Sequence, residues 1–411
     1  MRILYLNYSG STIQLMRVGD IANGLRKQGH EVILKHMHWG VARQIQRAEK
    51  QKADAYATTK APPSAKPAKT IPAPEPPPRW LRILKGEIRR SIANHRYMLL
   101  EYYYFLKYRP DFVLVRPGPI WSIFITATVL GQKMIWDTDG PMSENFQYAW
   151  NDLPRYYLKF EPFFVKRVKA LTVISSAMKD YYQEINKNPD KIFIMPNGVD
   201  SGLFRYGIDP APAIERYNLK DKTVIGFMGN LAPWHGLPGL LKEFPALAEK
   251  YENVRLLLVG IDIDWDNPPD GVPDKILAYK DKVLCTGRIP FNEVPIHLKA
   301  IDICVLPYPH IDFFYFSPMK LFESMAVGCG VVAADIGQVG EVIREGENGL
   351  KFKAGDYGEM RHQIEKLIGN PDLGKQMGKT AAGEVREKYV WEKTTRAIID
   401  AYEYAFDSKK K

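Results

Sequence analysis

The sequence has few cysteines, and none has the spacing of a metal or redox motif. Cys285, Cys304 and Cys329 are the three in 411 residues, and no pair forms a Cys-x-x-Cys. Two of them lie inside apolar, strand-like runs. The small, odd number of cysteines and their spacing argue against a scaffold stabilised by disulfides and against a cysteine-based zinc site. We expect reduced cysteines in the core.

Long hydrophobic runs and several common fingerprints are also missing. No stretch approaches the ~20 apolar residues that a membrane-spanning helix needs. The sequence contains no Walker loop, no Gly-x-Gly-x-x-Gly and no Gly-x-Ser-x-Gly. The chain opens on an apolar strand pattern at residues 2–6 instead of a signal segment, and we therefore expect a cytoplasmic protein.

The pattern of a metal loop begins once and then fails. Asp262, Asp264 and Asp266 alternate like the start of a calcium loop. Asn267 and Pro273 stand where such a loop needs glycine and glutamate. We expect no essential metal.

The N-terminal half is short of acidic residues. Residues 1–199 hold 30 Lys and Arg against 16 Asp and Glu, whereas residues 200–411 hold 27 against 31. Such a basic half is typical of proteins that contact a membrane surface, a lipid phosphate or a nucleic acid, although positive charge also serves solubility alone. Since no RNA- or DNA-binding motif is present, we expect no nucleic-acid partner and keep an anionic membrane surface as a candidate.

Strand and helix patterns alternate through most of the chain. A strand at residues 2–6, a helix through Val18, Ile21 and Leu25 that ends at Gly29, and a strand at 31–34 predict a βαβ opening. The alternation predicts an α/β protein with two doubly wound, Rossmann-like domains. We place the domains at residues 1–200 and 201–390, with a C-terminal helical segment at 391–411.

Two segments of the N-terminal domain stand out. Eight prolines lie between Lys60 and Arg79, and this composition predicts a mobile loop at about residues 50–79. A basic amphipathic helix follows, with an apolar face and a basic flank. The apolar face is Leu81, Leu84, Ile88 and Ile92, and the flank is Arg82, Lys85, Arg89 and Arg96. The helix is either an ordinary core helix or a contact for anionic headgroups, and residues 102–105 are either interfacial aromatics or core.

The most informative stretch is residues 317–333. A loop at Ser317 and Pro318 leads into a helix and then into a buried strand. Because the first N–H groups of a helix are unpaired and its dipole is positive there, an anion can bind at Ser317 to Lys320, beside the Lys320 ammonium. Glu323 is then placed to accept hydrogen bonds from ribose hydroxyls.

Seven stretches in this order resemble the retaining glycosyltransferases of family 4. They are residues 173–178, 196–200, 227–237, 255–260, 283–288, 301–307 and 317–333. The resemblance implies a GT-B fold, in which two Rossmann-like domains face a central cleft and the C-terminal helix crosses back to the N-terminal domain. It also implies a nucleotide diphosphate-sugar as co-substrate, with no further cofactor and no aspartate-bound metal.

The resemblance also assigns roles to particular residues. Asp139, which follows the strand at 133–136, is our candidate for orienting or deprotonating the acceptor hydroxyl, and His235 and Lys320 are the other catalytic candidates. Arg288 is expected near the base of the donor. The expected donor-binding residues are Gly10, Gly229, Asn230, His235, Gly236, Arg288, Ser317, Pro318, Met319, Lys320, Leu321 and Glu323.

Three positions depart from the family pattern. Asn230 and His235 stand where an arginine and a lysine are common, and Tyr315 replaces the earlier of two glutamates, of which Glu323 is the later. Lys320 is therefore expected to supply more of the charge that stabilises the diphosphate. We also expect activity to fall as His235 loses its proton.

We infer a retaining glycosyltransferase that moves a sugar from a nucleotide diphosphate donor to a lipid-linked or glycan acceptor. The expected setting is polysaccharide biosynthesis, in the cytoplasm or peripherally on the inner face of the membrane. Two alternatives stay open: a nucleotide-sugar epimerase or hydrolase on the same fold, and a non-catalytic nucleotide-sugar-binding subunit.

Overall fold

The structure, a computed structural model, describes residues 1–8, 12–37, 79–116, 128–129, 133–141 and 160–406. Two predicted features lie outside these residues: Gly10 and, up to residue 78, the proline-rich loop.

Contacts divide the chain into two compact units. The first comprises Met1–Val173, Tyr181–Phe193 and Ala397–Lys411, and the second comprises Ile174–Asp180 and Ile194–Arg396. The boundary between the units therefore falls at residue 194, before the turn at residues 196–200. The sequence analysis placed the boundary after this turn, between residues 200 and 201. Asn197 belongs to the second unit because its backbone N–H and its side-chain amide both donate to Ser317, at 2.8 and 2.7 Å.

The first sheet has six strands in the order β2-β1-β3-β4-β5-β6. They are β1 (Arg2–Asn7), β2 (Glu31–His36), β3 (Phe112–Val115), β4 (Met134–Asp137), β5 (Ala170–Val173) and β6 (Ile192–Ile194). The pairs β1–β2, β1–β3, β3–β4 and β4–β5 are parallel. The helices of this part of the chain are α1 (Thr12–Lys27), α2 (Arg79–Tyr108), α3 (Phe160–Arg167) and α4 (Ser176–Asn186).

The predicted βαβ opening is confirmed. Val18, Ile21 and Leu25 are fully buried on one face of α1, as their spacing requires. Gly29 has a φ of +85°, a left-handed conformation that glycine adopts without strain, and it turns the chain from α1 into β2.

The second sheet has the order β12-β11-β10-β7-β8-β9, and its paired strands are parallel. Its strands are β7 (Thr223–Met228), β8 (Val254–Val259), β9 (Val283–Cys285), β10 (Ile303–Leu306), β11 (Gly330–Asp335) and β12 (Leu350–Lys353). The chain winds outward in one direction from β7 and in the other from β10. In an open parallel sheet, ligands bind at this switch point, at the carboxyl ends of the strands.

Helices alternate with these strands, so the predicted doubly wound α/β class is confirmed. They are α5 (Ala211–Arg216), α6 (Leu237–Lys250), α7 (Val294–Lys299), α8 (Met319–Val327), α9 (Gly337–Val342), α10 (Tyr357–Gly369), α11 (Pro371–Lys388), α12 (Trp391–Thr394) and α13 (Arg396–Phe406). Short 3₁₀ turns lie at Pro189–Lys191, Pro233–His235, Asp274–Lys282 and Phe291–Glu293. From Ala397 onward α13 belongs to the first unit, where the Tyr402 ring lies 4.9 Å from that of Phe112.

Two features are absent from the described residues. No helix there combines the length and the apolar character needed to cross a bilayer. No group of three or more His, Cys, Asp or Glu side chains there is arranged to hold a metal ion.

Candidate functional site

The helix α8 begins at Met319, directly after Pro318, as the sequence predicted. Leu321, Phe322 and Met325 are fully buried beneath it, and this apolar face fixes the helix on the second sheet. Gly328 ends the helix with a left-handed φ of +83°. The start of α8 is therefore set rigidly, and with it the position of Lys320.

The Lys320 side chain reaches the switch point of the second sheet. Its Nζ lies 4.7 Å from the ring centre of Phe227 on β7 and 5.3 Å from that of Tyr308, which follows β10. It also lies 3.1 Å from the position that a Cβ atom would take at Gly229. None of the described residues forms an ion pair or hydrogen bond with this ammonium. The two rings beneath it were not predicted from the sequence.

The residues around Lys320 compensate its charge poorly. Burial lowers its pKa from 10.5 to about 7, because the desolvation of the ammonium exceeds the favourable influence of Cys304 and Glu323. A bound anion would restore the charge. An uncompensated cation at the carboxyl edge of a parallel sheet is the electrostatic signature of an anion site.

The loop before α8 is held in place by hydrogen bonds from Asn197. The Ser317 hydroxyl accepts the Asn197 N–H, and the Ser317 carbonyl accepts the Asn197 amide. Ser317 is therefore tied to the chain segment at 196–200 and is buried. Leu321 N–H donates to the Pro318 carbonyl. In the part of the chain described here, the N–H groups of Met319 and Lys320 remain as donors for an anion.

Two glycines let the loop between β7 and α6 approach Lys320. Gly229 follows β7 with a φ of +153°, and Gly236 has a left-handed φ of +72° at the start of α6. A Cβ at Gly236 would lie 1.6 Å from the Pro307 carbonyl oxygen, so only glycine fits there. The loop from Gly229 to Gly236 is thereby held against the end of β10.

His235 and Asn230 form a local turn within that loop. Asn230 Oδ1 accepts the Ala232 N–H at 3.0 Å, and the His235 Nδ1 lies 3.4 Å from the Asn230 carbonyl oxygen. Nδ1 can donate to this carbonyl only if it carries the proton, which leaves Nε2 as an acceptor. His235 is therefore suited to accept a hydrogen bond from a hydroxyl.

The surroundings of His235 shift its titration to lower pH. Burial, and then the neighbouring Lys320, lower the pKa of His235 to about 4. The ring is therefore neutral at neutral pH, and the expectation that activity falls as His235 loses its proton stays a prediction that applies near pH 4. Lys320, with a pKa of about 7, is the group that titrates near neutral pH.

The other predicted residues of the second unit have different exposures. Glu323 is buried one turn after Lys320, and Tyr315 is buried with its ring 4.5 Å from that of Phe316. Arg288 is exposed just beyond β9, after Gly287, whose φ is +62°. Arg288 thus lies at the same carboxyl edge of the sheet as the Gly229 loop.

The first unit holds a buried charge cluster at the carboxyl edge of its own sheet. Asp137, the last residue of β4, is fully buried and accepts the Tyr5 hydroxyl at 2.9 Å and the Thr172 hydroxyl at 3.1 Å. The Arg17 guanidinium lies 3.1 Å from Asp137, and that of Arg116 lies 3.6 Å away. The sequence did not reveal this cluster, because its members are far apart along the chain.

The predicted acceptor residue Asp139 forms an ion pair with Arg116. Burial alone would lower the pKa of the Arg116 guanidinium, but Asp139, Tyr5 and Asp137 hold it above its ordinary value. Asp139 therefore lies beside a permanent positive charge.

Two family models match the chain. That of Glycosyltransferase Family 4 matches residues 16–203, and that of Glycosyl transferases group 1 matches residues 222–370. The two matched segments are therefore similar to glycosyltransferase domains of the family 4, group 1 type. The first match includes every strand of the first sheet except β1, and the second includes the whole second sheet and Lys320.

Curated relatives align over part of their length. An uncharacterized glycosyltransferase of Methanocaldococcus jannaschii is 26% identical over 243 residues, which are 58% of this chain and 59% of that protein. A D-inositol 3-phosphate glycosyltransferase of Segniliparus rotundus is 26% identical over 220 residues, 53% of this chain and 48% of the relative. The alignments thus span about half to three-fifths of these proteins.

A solved structure matches over nearly the whole chain. HepE of Anabaena, in complex with UDP and glucose, superposes with a TM-score of 0.65 at 18% identity and covers 98% of this chain and 99% of its own. The protein therefore has a two-domain, Rossmann-like GT-B fold.

Proposed function

We propose that the protein transfers a sugar from a nucleotide diphosphate-sugar to a hydroxyl of a lipid-linked or glycan acceptor, with retention of the anomeric configuration. The observation that carries this proposal is the Lys320 ammonium, which forms no ion pair or hydrogen bond with a described residue and lies at the switch point of the second sheet. The leaving group of such a transfer is a diphosphate, and fixed positive charge stabilises it as the bond to the sugar breaks.

The donor diphosphate is assigned to the corner formed by Lys320, the N–H groups of Met319 and Lys320, and Gly229. The helix dipole of α8 adds to the field at this point. Gly229 leaves room for a phosphate oxygen against the ammonium, since a side chain there would contact Nζ. His235 Nε2 accepts from a sugar hydroxyl, and the exposed Arg288 lies on the side assigned to the base.

In the transfer, the bond between the anomeric carbon and the diphosphate oxygen breaks, and the acceptor oxygen bonds to the same face of that carbon. The acceptor proton leaves with the diphosphate, which departs as its conjugate acid. Asp139, which forms an ion pair with Arg116, is assigned to orient the acceptor hydroxyl. No enzyme nucleophile is required.

Thermal shift against nucleoside diphosphates and their sugars tests the donor assignment. A ligand that binds the folded state raises its stability by mass action, so the correct base gives the largest shift. Incubation of that donor with an acceptor panel then tests the reaction, and NMR of the product reports the anomeric configuration. Epimerisation or hydrolysis of donor alone, or binding without turnover on any acceptor, would contradict the proposal.

Donor affinity is expected to fall as pH rises above 7. The charged form of Lys320 binds the diphosphate, and its pKa in the free protein is about 7. The dissociation constant should therefore rise about tenfold per pH unit between pH 7 and 9. Titration calorimetry with the nucleotide sugar measures this, because its doubly esterified diphosphate does not titrate in that range.

The same titration separates the two candidate groups. His235 is neutral throughout this pH range, so the variant His235→Gln should keep the slope of affinity against pH. A flat profile for the wild-type protein, or a slope that disappears in His235→Gln, would show that Lys320 is not the titrating group.

The variant Gly229→Ala is expected to weaken donor binding about tenfold. Its methyl group would lie 3.1 Å from the Lys320 Nζ and occupy the space assigned to a phosphate oxygen. The control is Gly207→Ala, because a Cβ at Gly207 meets nothing within 4 Å. Calorimetry on both variants decides the matter, and equal affinities would argue that the diphosphate does not bind against Gly229.

A further inference from the structure

The helix α2 carries a stripe of apolar side chains that point away from the first unit. We call it the outer stripe, and its members are Ile88, Ile92, Leu99, Tyr103 and Leu106, each more than half exposed. Their spacings of four, seven, four and three residues keep them on one face of an α-helix. Five large apolar side chains in line on one exposed helix are unusual for a surface in contact with water alone.

The opposite face of α2 holds the helix in place. Glu101 is buried and accepts the Tyr8 hydroxyl, and the Tyr97 ring packs against that of Tyr8 at 5.7 Å. Further along, the Lys35 ammonium lies 5.4 Å from the ring centre of Tyr104 and 5.2 Å from that of Tyr108. The outer stripe is therefore not needed to pack the helix on its own unit.

Positive charge accompanies the outer stripe. The sequence of α2 contains seven Lys and Arg but two Glu, and one of these, Glu101, is buried on the inner face. Arg96 and Lys107 are exposed, and the Lys107 ammonium lies 5.4 Å from the ring centre of Tyr103. Thirty helical residues extend about 45 Å. A long helix with an apolar stripe and a cationic flank is complementary to the surface of an anionic bilayer.

We propose that α2 docks the protein on anionic membranes. The outer stripe inserts at the level of the headgroups and upper acyl chains, while Arg96 and Lys107 contact lipid phosphates. The inference is independent of the proposed transfer reaction, because it depends on the first unit alone.

Vesicle sedimentation with the full chain tests the docking. One set of vesicles is phosphatidylcholine, and the other contains about one third phosphatidylglycerol. The apparent affinity should be at least tenfold higher for the anionic set and should fall severalfold when salt is raised from about 0.1 M to 0.5 M. Equal binding to both sets, or binding to neither, would overturn the proposal.

Two variants assign the binding to the outer stripe. Leu99→Glu and Leu106→Glu each place an acid in the stripe and should lower affinity for anionic vesicles at least tenfold. The matched control is Leu277→Glu, because Leu277 is also an exposed leucine but belongs to the second unit. Thermal melts check the fold of all three. Wild-type binding by both stripe variants, or an equal loss in the control, would contradict the assignment.

Self-association is the competing use of such a stripe. Sedimentation velocity without lipid distinguishes the two uses. A monomer over the working concentrations supports docking on membranes, whereas a dimer that Leu99→Glu converts to a monomer would assign the stripe to a second copy of the chain and overturn the proposal.

Discussion

Replacing Lys320 with methionine is expected to lower donor affinity by at least about a hundredfold while making the folded protein more stable. The loss of binding follows because the variant removes the one charge placed against Gly229 and the rings of Phe227 and Tyr308. A charge-assisted hydrogen bond to phosphate in a partly buried site accounts for about 3 kcal/mol, which corresponds to that factor.

The gain in stability follows from the same burial. The pKa of Lys320 is about 7 in the folded chain and 10.5 ordinarily, so the unfolded state binds more protons between these values. Stability therefore rises with pH from 7 to 10.5 and is lowest below pH 7. Methionine carries no charge to desolvate, and the melting temperature at pH 7 should rise by a few degrees.

A second lysine provides the matched control for binding. Lys299 is also partly buried with a lowered pKa, but its ammonium donates to the Val327 carbonyl at the far end of α8. Lys299→Met should leave donor affinity unchanged. Titration calorimetry measures the donor affinity of both variants, and thermal melts measure their stability. A Lys320→Met protein that binds donor within about threefold of wild type would exclude the proposed corner.

Replacing Asp137 with asparagine is expected to destabilise the first unit by about 3 kcal/mol or more. The change keeps the shape of the side chain but leaves Arg17 and Arg116 buried without the central negative charge. Breaking a buried ion pair from one side is far more damaging than removing an exposed pair, because the remaining charge stays desolvated.

The measurement has to report on the first unit alone, since two units need not unfold together. Hydrogen exchange at the amides of β1 and β4 does so, and protection there should fall in Asp137→Asn while β7 and β10 are unaffected. The control Glu184→Gln, at an exposed position, should change stability by less than about 0.5 kcal/mol. Unchanged protection in Asp137→Asn would mean that the cluster does not hold the sheet together.

The sequence was sufficient where local patterns decide the structure. The buried stripe at Val18, Ile21 and Leu25 and the turn at Gly29 predicted the first βαβ unit, and the stretch at 317–333 predicted α8 and β11. The alternation of strands and helices also predicted the fold class. Each of these features depends on residues close together in the chain.

It was insufficient where distant residues meet. Nothing near Lys320 in the chain indicates that Phe227 and Tyr308 lie beneath its ammonium, and this burial sets its pKa. Asp137 and Arg17 are 120 residues apart. The sequence left open whether the four aromatic residues at 102–105 lie in the core or at an interface. The helix period divides them, so that Tyr103 is exposed and Tyr104 lies on the inner face.

The most direct test of the central claim is a crystal structure with the nucleoside diphosphate that gives the largest thermal shift. The account predicts phosphate oxygens within hydrogen-bonding distance of the Lys320 Nζ and of the Met319 and Lys320 N–H groups, with one oxygen against Gly229. Phosphates bound elsewhere, with no phosphate oxygen near the Lys320 ammonium, would contradict it.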